Sequence, residues 1–283
     1  MAKETVLTLL AKKAAGEKIS QMTCYDYTMA RLEAAAGVET ILVGDSLGMT
    51  MQGYPDTLSV TMEEMIVYAR SVVRGAPECF VIVDMPFMSY QVSVEQAVAN
   101  AGRLIKETGA NAVKLEGGAA VKEQIKAIVD CGIPVCAHVG MTPQSANAFG
   151  GFKVQGKDEA SARRVLQDAF DVQEAGAFMC VLECVPATLA RIITQKTRMV
   201  TIGIGAGPDC DGQVLVAQDA LAMGVDGFRP KFVKHFAQVG ECIQDGVRAY
   251  VEDVKAGTYP SEEFTYAKSD LGPALAVELE AAF

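Results

Sequence analysis

Six ionisable side chains stand at the ends of short apolar runs. Asp45 follows residues 40–43, Asp84 follows 80–83, Lys114 and Glu116 lie in and after 112–115, His138 closes 134–138, and Glu183 follows 178–182. Asp45, Asp84 and Glu116 offer hard oxygen donors, which suit Mg²⁺ better than a soft metal. Lys114 and Glu116 are two apart, so on a strand they face the same side, and the ammonium can balance an anionic ligand beside a metal. Glu183 has apolar Leu182 and Val185 close by, a setting that raises a carboxyl towards the range of a working base. Singly, each has an ordinary structural role: an acid after a strand caps a helix or shapes a turn, and a histidine there is a hydrogen-bonded structural residue. Six such groups buried without compensation would be costly, so together they point to one pocket. The chemistry they permit is metal-assisted work on a small oxo-acid. Mg²⁺ chelated by a 2-oxo carboxylate polarises the carbonyl, acidifies the adjacent C–H and stabilises the enolate. Other patterns are weaker. Gly44-Asp45-Ser46-Leu47-Gly48 lacks the serine position of a nucleophile elbow. Residues 203–207 read G-x-G-x-G, a tight turn or a weak nucleotide signal. Cys180 and Cys184 have a metal-like spacing but no matching pair nearby.

These groups need a scaffold that brings strand ends together. Eight apolar runs, at 19–23, 40–43, 80–83, 112–115, 134–138, 178–182, 199–204 and 225–228, are short and rich in Val and Ile, as buried parallel strands are. Between them lie stretches with helical period. Residues 61–70 place Met62, Met65, Ile66 and Ala69 on one face, and 94–107 do the same with Val94, Ala97, Val98, Ala101, Leu104 and Ile105. Thr61 with Glu64 and Ser93 with Gln96 fit the capping box. Residues 158–175 and 186–195 are further helices, the second starting at Pro186. Strand and helix alternating eight times predict a (β/α)₈ TIM barrel, with a doubly wound open sheet as the alternative. In the barrel all six groups fall at the mouth. Residues 4–14 are expected as an extra N-terminal helix and 269–283 as a C-terminal helix. The C-terminal helix carries Leu271, Leu275, Val277 and Leu279, and packs on its own barrel or on a neighbouring subunit. The whole, 1–283, reads as a single domain.

Composition narrows the partners. Of 283 residues 50% are hydrophobic and 21% charged, which excludes wholesale disorder. A formal charge of −10 disfavours nucleic acid and anionic membrane, both of which need a cationic face. No apolar run has the length of a membrane span. Met1-Ala2-Lys3-Glu4 does not read as a secretory signal, and the eight cysteines form no C-x-x-C pair, so a reducing cytoplasm is the expected location.

With these residues assembled, the chain resembles the ketopantoate hydroxymethyltransferase family. The likeness runs from about Ser20 to Tyr266. It rests on Thr23-Cys24-Tyr25-Asp26, Val43-Gly44-Asp45-Ser46-Leu47-Gly48 and Asp84-Met85-Pro86-Phe87, and on residues 113–118, 138–145, 150–157, 203–207, 211–213 and 230–234 in order. The resemblance implies a barrel of the phosphoenolpyruvate/pyruvate superfamily type, a Mg²⁺ requirement, and a cytoplasmic homodecamer working in pantothenate and coenzyme A synthesis. It implies transfer of a hydroxymethyl group from methylenetetrahydrofolate to 3-methyl-2-oxobutanoate, giving 2-dehydropantoate and tetrahydrofolate. It further implies that Asp45 and Asp84 hold Mg²⁺ and that Glu116 belongs to the metal site. Asp45, Ser46, Asp84, Lys114 and His138 then bind substrate, with Ser46 and Lys114 on its carboxylate end, and Glu183 accepts the proton. Lys153 and Lys157 meet the glutamate tail of folate or are simply solvated. Two other readings remain: a superfamily C–C lyase, whose Lys-Cys-Gly-His loop is missing here, and a barrel that only binds a metabolite. Proton–deuterium exchange at carbon 3 of the oxo-acid separates them from the transferase.

Overall fold

The computed structural model describes residues 3–224, 229–266 and 272–282. Eight parallel strands close into a barrel in chain order: β1 (Ile19–Thr23), β2 (Thr40–Val43), β3 (Phe80–Asp84), β4 (Ala112–Glu116), β5 (Val135–Gly140), β6 (Met179–Glu183), β7 (Val200–Ile204) and β8 (Gly212–Leu215). β2, β3 and β4 are buried at every position. A strand covered by helices outside and by the lumen inside has no solvated face, which is why these runs do not alternate. The helices Tyr27–Ala36, Met62–Gly75, Val94–Thr108, Lys122–Asp130, Glu159–Glu174 and Ala187–Lys196 form the outer layer. Their starts follow local chemistry. Thr61 and Glu64 bond reciprocally across the first turn of Met62–Gly75. At Ser93 only half of the expected box forms: its Oγ accepts from the Gln96 N–H at 3.1 Å, while Gln96 Oε1 is buried without a partner.

The helix Val6–Ala15 meets the amino ends of the strands. Leu9 is fully buried in the cluster formed by Ile19, Phe80, Phe178 and Val200. Lys13 Nζ donates to Asp211 Oδ2 at 2.6 Å and to the Thr194 carbonyl at 3.1 Å, and Asp211 also accepts the Thr201 N–H at 2.8 Å. This pins the helix across the closed end of the barrel, so the open end is the carboxyl face.

One strand departs from expectation. The eighth is Gly212–Leu215, which pairs with both β7 and β1. The run at 225–228 lies outside the described residues. Residues 205–211 link β7 to β8 without a helix, so strand–helix alternation does not mark this strand. The signal is also weak, because Gly212 is dictated by crowding: a Cβ there would lie 2.4 Å from the Ile19 carbonyl oxygen and 2.6 Å from Ile202 Cδ1.

Past the barrel, the helix Val239–Ala256 buries no residue, and Ile243, Val247 and Tyr250 on one face are each about half exposed or more. The helix Pro273–Ala282 likewise exposes Leu275, Val277 and Leu279. Ser269 and Leu271 of the expected tail lie outside the described residues.

Glu33, on Tyr27–Ala36, is 5% exposed, and neither carboxyl oxygen has a hydrogen-bond partner. Burial, with Asp26 adding to it, pushes its pKa up to about 8. The folded state therefore keeps this proton after the unfolded chain has released it. The neutral form's contribution to stability is complete below the ordinary glutamate range and is lost as pH rises towards 8. Glu33→Leu is expected to unfold at higher urea than the parent chain. The gap should widen between about pH 4.5 and 8 by at most ~1.4 kcal/mol per pH unit, the limit for one proton. Parallel pH profiles of the two unfolding midpoints would show that Glu33 is not the group responsible.

Candidate active site

The strand register brings the expected groups together. Asp84 on β3 is level with Lys114 on β4, Glu116 is level with His138 on β5, and Gly140 is level with Glu183 on β6. Asp84, Lys114, Glu116, His138 and Glu183 alternate on their strands so that all point into the barrel mouth. Asp45 and Ser46 enter from the turn after β2. Asp84, Lys114, Glu116, His138 and Asp45 are each at most 6% exposed.

Lys114 lies at the centre. Its Nζ is 3.0 Å from Asp84 Oδ1, 3.8 Å from Glu116 Oε1 and 3.4 Å from His138 Nδ1. Burial alone would lower the pKa of its ammonium, but Asp84, Glu116 and Asp45 outweigh that, raise it and keep it charged. A lysine ammonium can only donate, so His138 Nδ1 accepts and the ring proton sits on Nε2. That nitrogen is 3.3 Å from Glu183 Oε2 but off hydrogen-bond angle, and it has no hydrogen-bond partner. Burial, followed by the nearby Lys114 charge, holds His138 well below its ordinary pKa, so the ring is neutral. Burial raises Glu183 to about 7, with Lys114 opposing and Asp84 adding to the shift. Glu183 is therefore poised between acid and base near neutral pH.

The backbone around Glu183 is held on three sides. Its carbonyl accepts from the Met141 N–H at 2.9 Å, the Cys184 N–H donates to the Ile204 carbonyl at 2.9 Å, and the Cys184 carbonyl accepts from the Gln155 N–H at 2.9 Å. Cys184 takes a left-handed φ of 47°, a conformation rare for a residue with a side chain. Gly140 is required here, since a Cβ on it would lie 2.4 Å from the Glu183 carbonyl oxygen. The segment carrying Lys153 and Lys157 is thereby tied to the end of β6, and both lysines are exposed.

The carboxylates also engage one another's backbone. The Asp45 N–H donates to Asp84 Oδ2 at 3.0 Å. Asp84 Oδ1, although 3.0 Å from Lys114, is off hydrogen-bond angle and is left without a hydrogen-bond partner. Burial drives Asp45 well above the usual carboxylate range, with Asp84 and Glu116 adding to the shift and Lys114 opposing it. Burial likewise lifts Glu116 to about 7, against the pull of Lys114. Three buried acids, with the partly buried Glu183 beside them, thus face a single lysine, and burial raises Asp45, Glu116 and Glu183. No three His, Cys, Asp or Glu side chains among the described residues form a ready metal cage, Cys180 and Cys184 included. A hard divalent ion does not need one: Mg²⁺ binds through one or two carboxylates and completes its shell with water and substrate oxygens. The carboxylate oxygens of Asp45, Asp84 and Glu116, with Asp84 Oδ1 buried and without a hydrogen-bond partner, are of the kind such an ion takes.

Three residues outside the sequence-derived set complete the pocket. Tyr25 OH lies 2.8 Å from Ser46 Oγ, and burial raises its pKa to about 12, which keeps the phenol protonated. Gln144 donates from Nε2 to Asp45 Oδ2 at 2.8 Å, and Tyr90 OH donates to Gln144 Oε1 at 2.6 Å. Tyr25 and Gln144 lie in stretches that carry the family resemblance, 23–26 and 138–145, and Tyr90 lies outside them, but only the folded barrel shows what the three touch. A cavity of about 730 Å³ lies elsewhere, against β1 and β8 beside Phe232 and Phe236, and holds none of the six groups.

A closed parallel barrel with acids and a lysine converging at the carboxyl ends of its strands defines a (β/α)₈ barrel with a candidate active site at its carboxyl face. Among solved structures it is similar to phosphonopyruvate hydrolase in complex with oxalate and Mg²⁺ (TM-score 0.60, 13% identity, 99% of this chain and 96% of that one). It is also similar to 2,3-dimethylmalate lyase (TM-score 0.57, 15% identity, 98% of each chain). At such identities the likeness concerns the fold. The chain itself belongs to the ketopantoate hydroxymethyltransferase family, whose model matches residues 3–262. It is 60% identical to the 3-methyl-2-oxobutanoate hydroxymethyltransferase of Clostridium novyi (strain NT), over 93% of this chain and 96% of the relative. It is 56% identical to the enzyme of the same name from Clostridium botulinum (strain 657 / Type Ba4), over 95% and 97%. It is therefore an enzyme, a hydroxymethyltransferase. Among the described residues no helix is long and apolar enough to cross a membrane.

Proposed function

We propose that the chain transfers a hydroxymethyl group from methylenetetrahydrofolate to 3-methyl-2-oxobutanoate, giving 2-dehydropantoate and tetrahydrofolate, as a step towards pantothenate and coenzyme A. The observation that carries this reading is the contact chain Asp84–Lys114–His138–Glu183 across four strands, with Asp45 and Glu116 beside it. Asp45 and Asp84 would hold Mg²⁺, with Glu116 joining through water, and the bound ion would supply Lewis-acid polarisation of the ketone. The protein's own groups do the rest. Lys114 places a fixed positive charge against the substrate carboxylate, and Ser46, held by Tyr25, adds a hydrogen bond at that end. Glu183 takes the proton from carbon 3, leaving the electron pair as an enolate. One carbon–nitrogen bond of the folate's methylene opens to an iminium, that nitrogen taking up a proton, and carbon 3 attacks the methylene carbon to form the new C–C bond. A water then displaces the second folate nitrogen, which leaves with a proton as tetrahydrofolate, and the oxygen of that water becomes the new hydroxyl. The neutral His138 lies with Nε2 3.3 Å from the Glu183 carboxylate and adds no charge that would compete for the proton. Proton–deuterium exchange at carbon 3, followed with and without Mg²⁺ and without folate, tests this reading. Metal-dependent exchange is expected. A protein that turns substrate over without any exchange would exclude enolisation by this site.

We infer further that the enzyme works in the cytoplasm as a homodecamer, and that the apolar faces left open on Val239–Ala256 and Pro273–Ala282 are covered by a neighbouring copy. Helices with apolar stripes are stable when those stripes are buried. Deleting residues 269–283 is expected to lower the assembly mass measured by light scattering. Full-length assembly by the truncated chain would place that helix on its own barrel.

A further inference from the structure

We propose that Gln144 is the positioning residue of the metal site, locking Asp45 and Glu116 into one frame, and that Tyr90 fixes the direction of its amide. This rests on the reading of Asp45, Asp84 and Glu116 as the metal-binding acids. Gln144 is 6% exposed and sits in the short turn Pro143–Ser145 that follows β5. Its two amide hydrogens go to Asp45 Oδ2 at 2.8 Å and to the Met85 carbonyl at 3.0 Å. Its amide oxygen accepts from Tyr90 OH at 2.6 Å and Gln91 Nε2 at 3.1 Å. Its backbone N–H donates to Glu116 Oε2 at 2.9 Å. One residue thus bonds two of the three acids, through its side chain and its main chain.

The direction of the amide is not free. Turned over, it would set its oxygen against Asp45 Oδ2 and the Met85 carbonyl, with acceptors facing acceptors on one side and donors facing donors on the other. Tyr90 is itself tied to β4, because its hydroxyl oxygen accepts the Glu116 N–H at 3.1 Å. The turn after β2, the segment after β3, the end of β4 and the turn after β5 are therefore linked through one buried network. One oxygen of each acid is committed to the frame, Asp45 Oδ2 and Glu116 Oε2, while Asp45 Oδ1 and Glu116 Oε1 stay outside it. Mg²⁺ demands near-ideal octahedral geometry, so small displacements of its carboxylates weaken binding, and partners that orient ligands usually account for 10–100-fold in affinity.

The test is Mg²⁺ titrated by calorimetry into the parent enzyme, Gln144→Met and Tyr90→Phe, with Asp84→Ala as the control for the metal reading. Gln144→Met keeps the length of the side chain and is expected to bind Mg²⁺ about 10–100-fold more weakly, with a melting curve close to the parent's. Tyr90→Phe keeps the ring and is expected to lose less, roughly tenfold, because the amide then loses only its strongest direction signal. A Gln144→Met enzyme with parental Mg²⁺ affinity overturns the proposal. If that variant does not fold, Tyr90→Phe decides alone, and parental affinity there overturns it too. An Asp84→Ala enzyme that binds Mg²⁺ as the parent does would remove the metal reading itself, and the role of the frame with it.

Discussion

Glu183→Gln is expected to cut turnover by roughly 10²–10⁴, the usual worth of a positioned general base, while Mg²⁺ and oxo-acid binding stay close to parental. Glu183 makes no ion pair with Lys114. Its neighbour is His138, whereas Asp84 and Glu116 both face Lys114. A base must reach the carbon beside the ketone, and metal ligands must reach the oxygens, so approach from β6 rather than β2–β4 suits the first task. The amide keeps the shape of the side chain and can still meet His138, but it cannot accept the proton. Deuterium exchange at carbon 3 should fall in parallel, even without folate. Because burial holds the carboxyl near 7, exchange by the parent enzyme should rise with pH through about that value as the base ionises, and then level off. Exchange that survives in Glu183→Gln while product formation is lost would move Glu183 to a later step and leave His138 as the next candidate base.

The second large effect is expected from Asp84→Ala, which should abolish measurable Mg²⁺ uptake in calorimetry with the barrel still folded. Asp84 Oδ1 is buried, faces the pocket and has no hydrogen-bond partner, whereas Oδ2 accepts the Asp45 N–H. Removing the side chain takes away one direct ligand and also frees the turn that carries Asp45. Lys114 would still have Glu116 within 3.8 Å, so its charge is not stranded. Catalysis should lose several kcal/mol, on the order of 10³-fold, because polarisation of the ketone is lost with the ion. Asp84→Asn separates the two roles: its amide oxygen can still accept from Asp45, but it contributes no negative charge. Unchanged Mg²⁺ affinity in Asp84→Ala would end the assignment of this residue as a ligand.

Most of the barrel was legible along the chain because its strands are covered on both sides. β2, β3 and β4 read as unbroken apolar runs, and the Thr61–Glu64 cap marked a helix start that the fold keeps. The strand that escaped, Gly212–Leu215, did so because it follows β7 through a link with no helix and begins with a glycine imposed by Ile19 and Ile202. Its identity depends on pairing with β1, some two hundred positions away in the chain, and local pattern holds no record of that. The half-formed box at Ser93 shows the same limit on a smaller scale, since the cap is local but the direction of Gln96 is set by its surroundings.

The sequence by itself determined the chemistry that is available. Residue type sets what a carboxylate, an ammonium or an imidazole can do, and position at the end of an apolar run places it at the mouth of a parallel barrel. Tertiary structure decided which of these groups touch and in what state they are held. The stagger between β3, β4, β5 and β6 sets Lys114 between Asp84 and His138, and His138 against Glu183. Burial then raises Glu183 and depresses His138, because desolvation depends on everything packed around a group and not on its neighbours in the chain. Gln144 belongs wholly to this second category. Its amide acquires meaning only when Asp45, Met85, Tyr90 and Gln91, from two other parts of the chain, close around it.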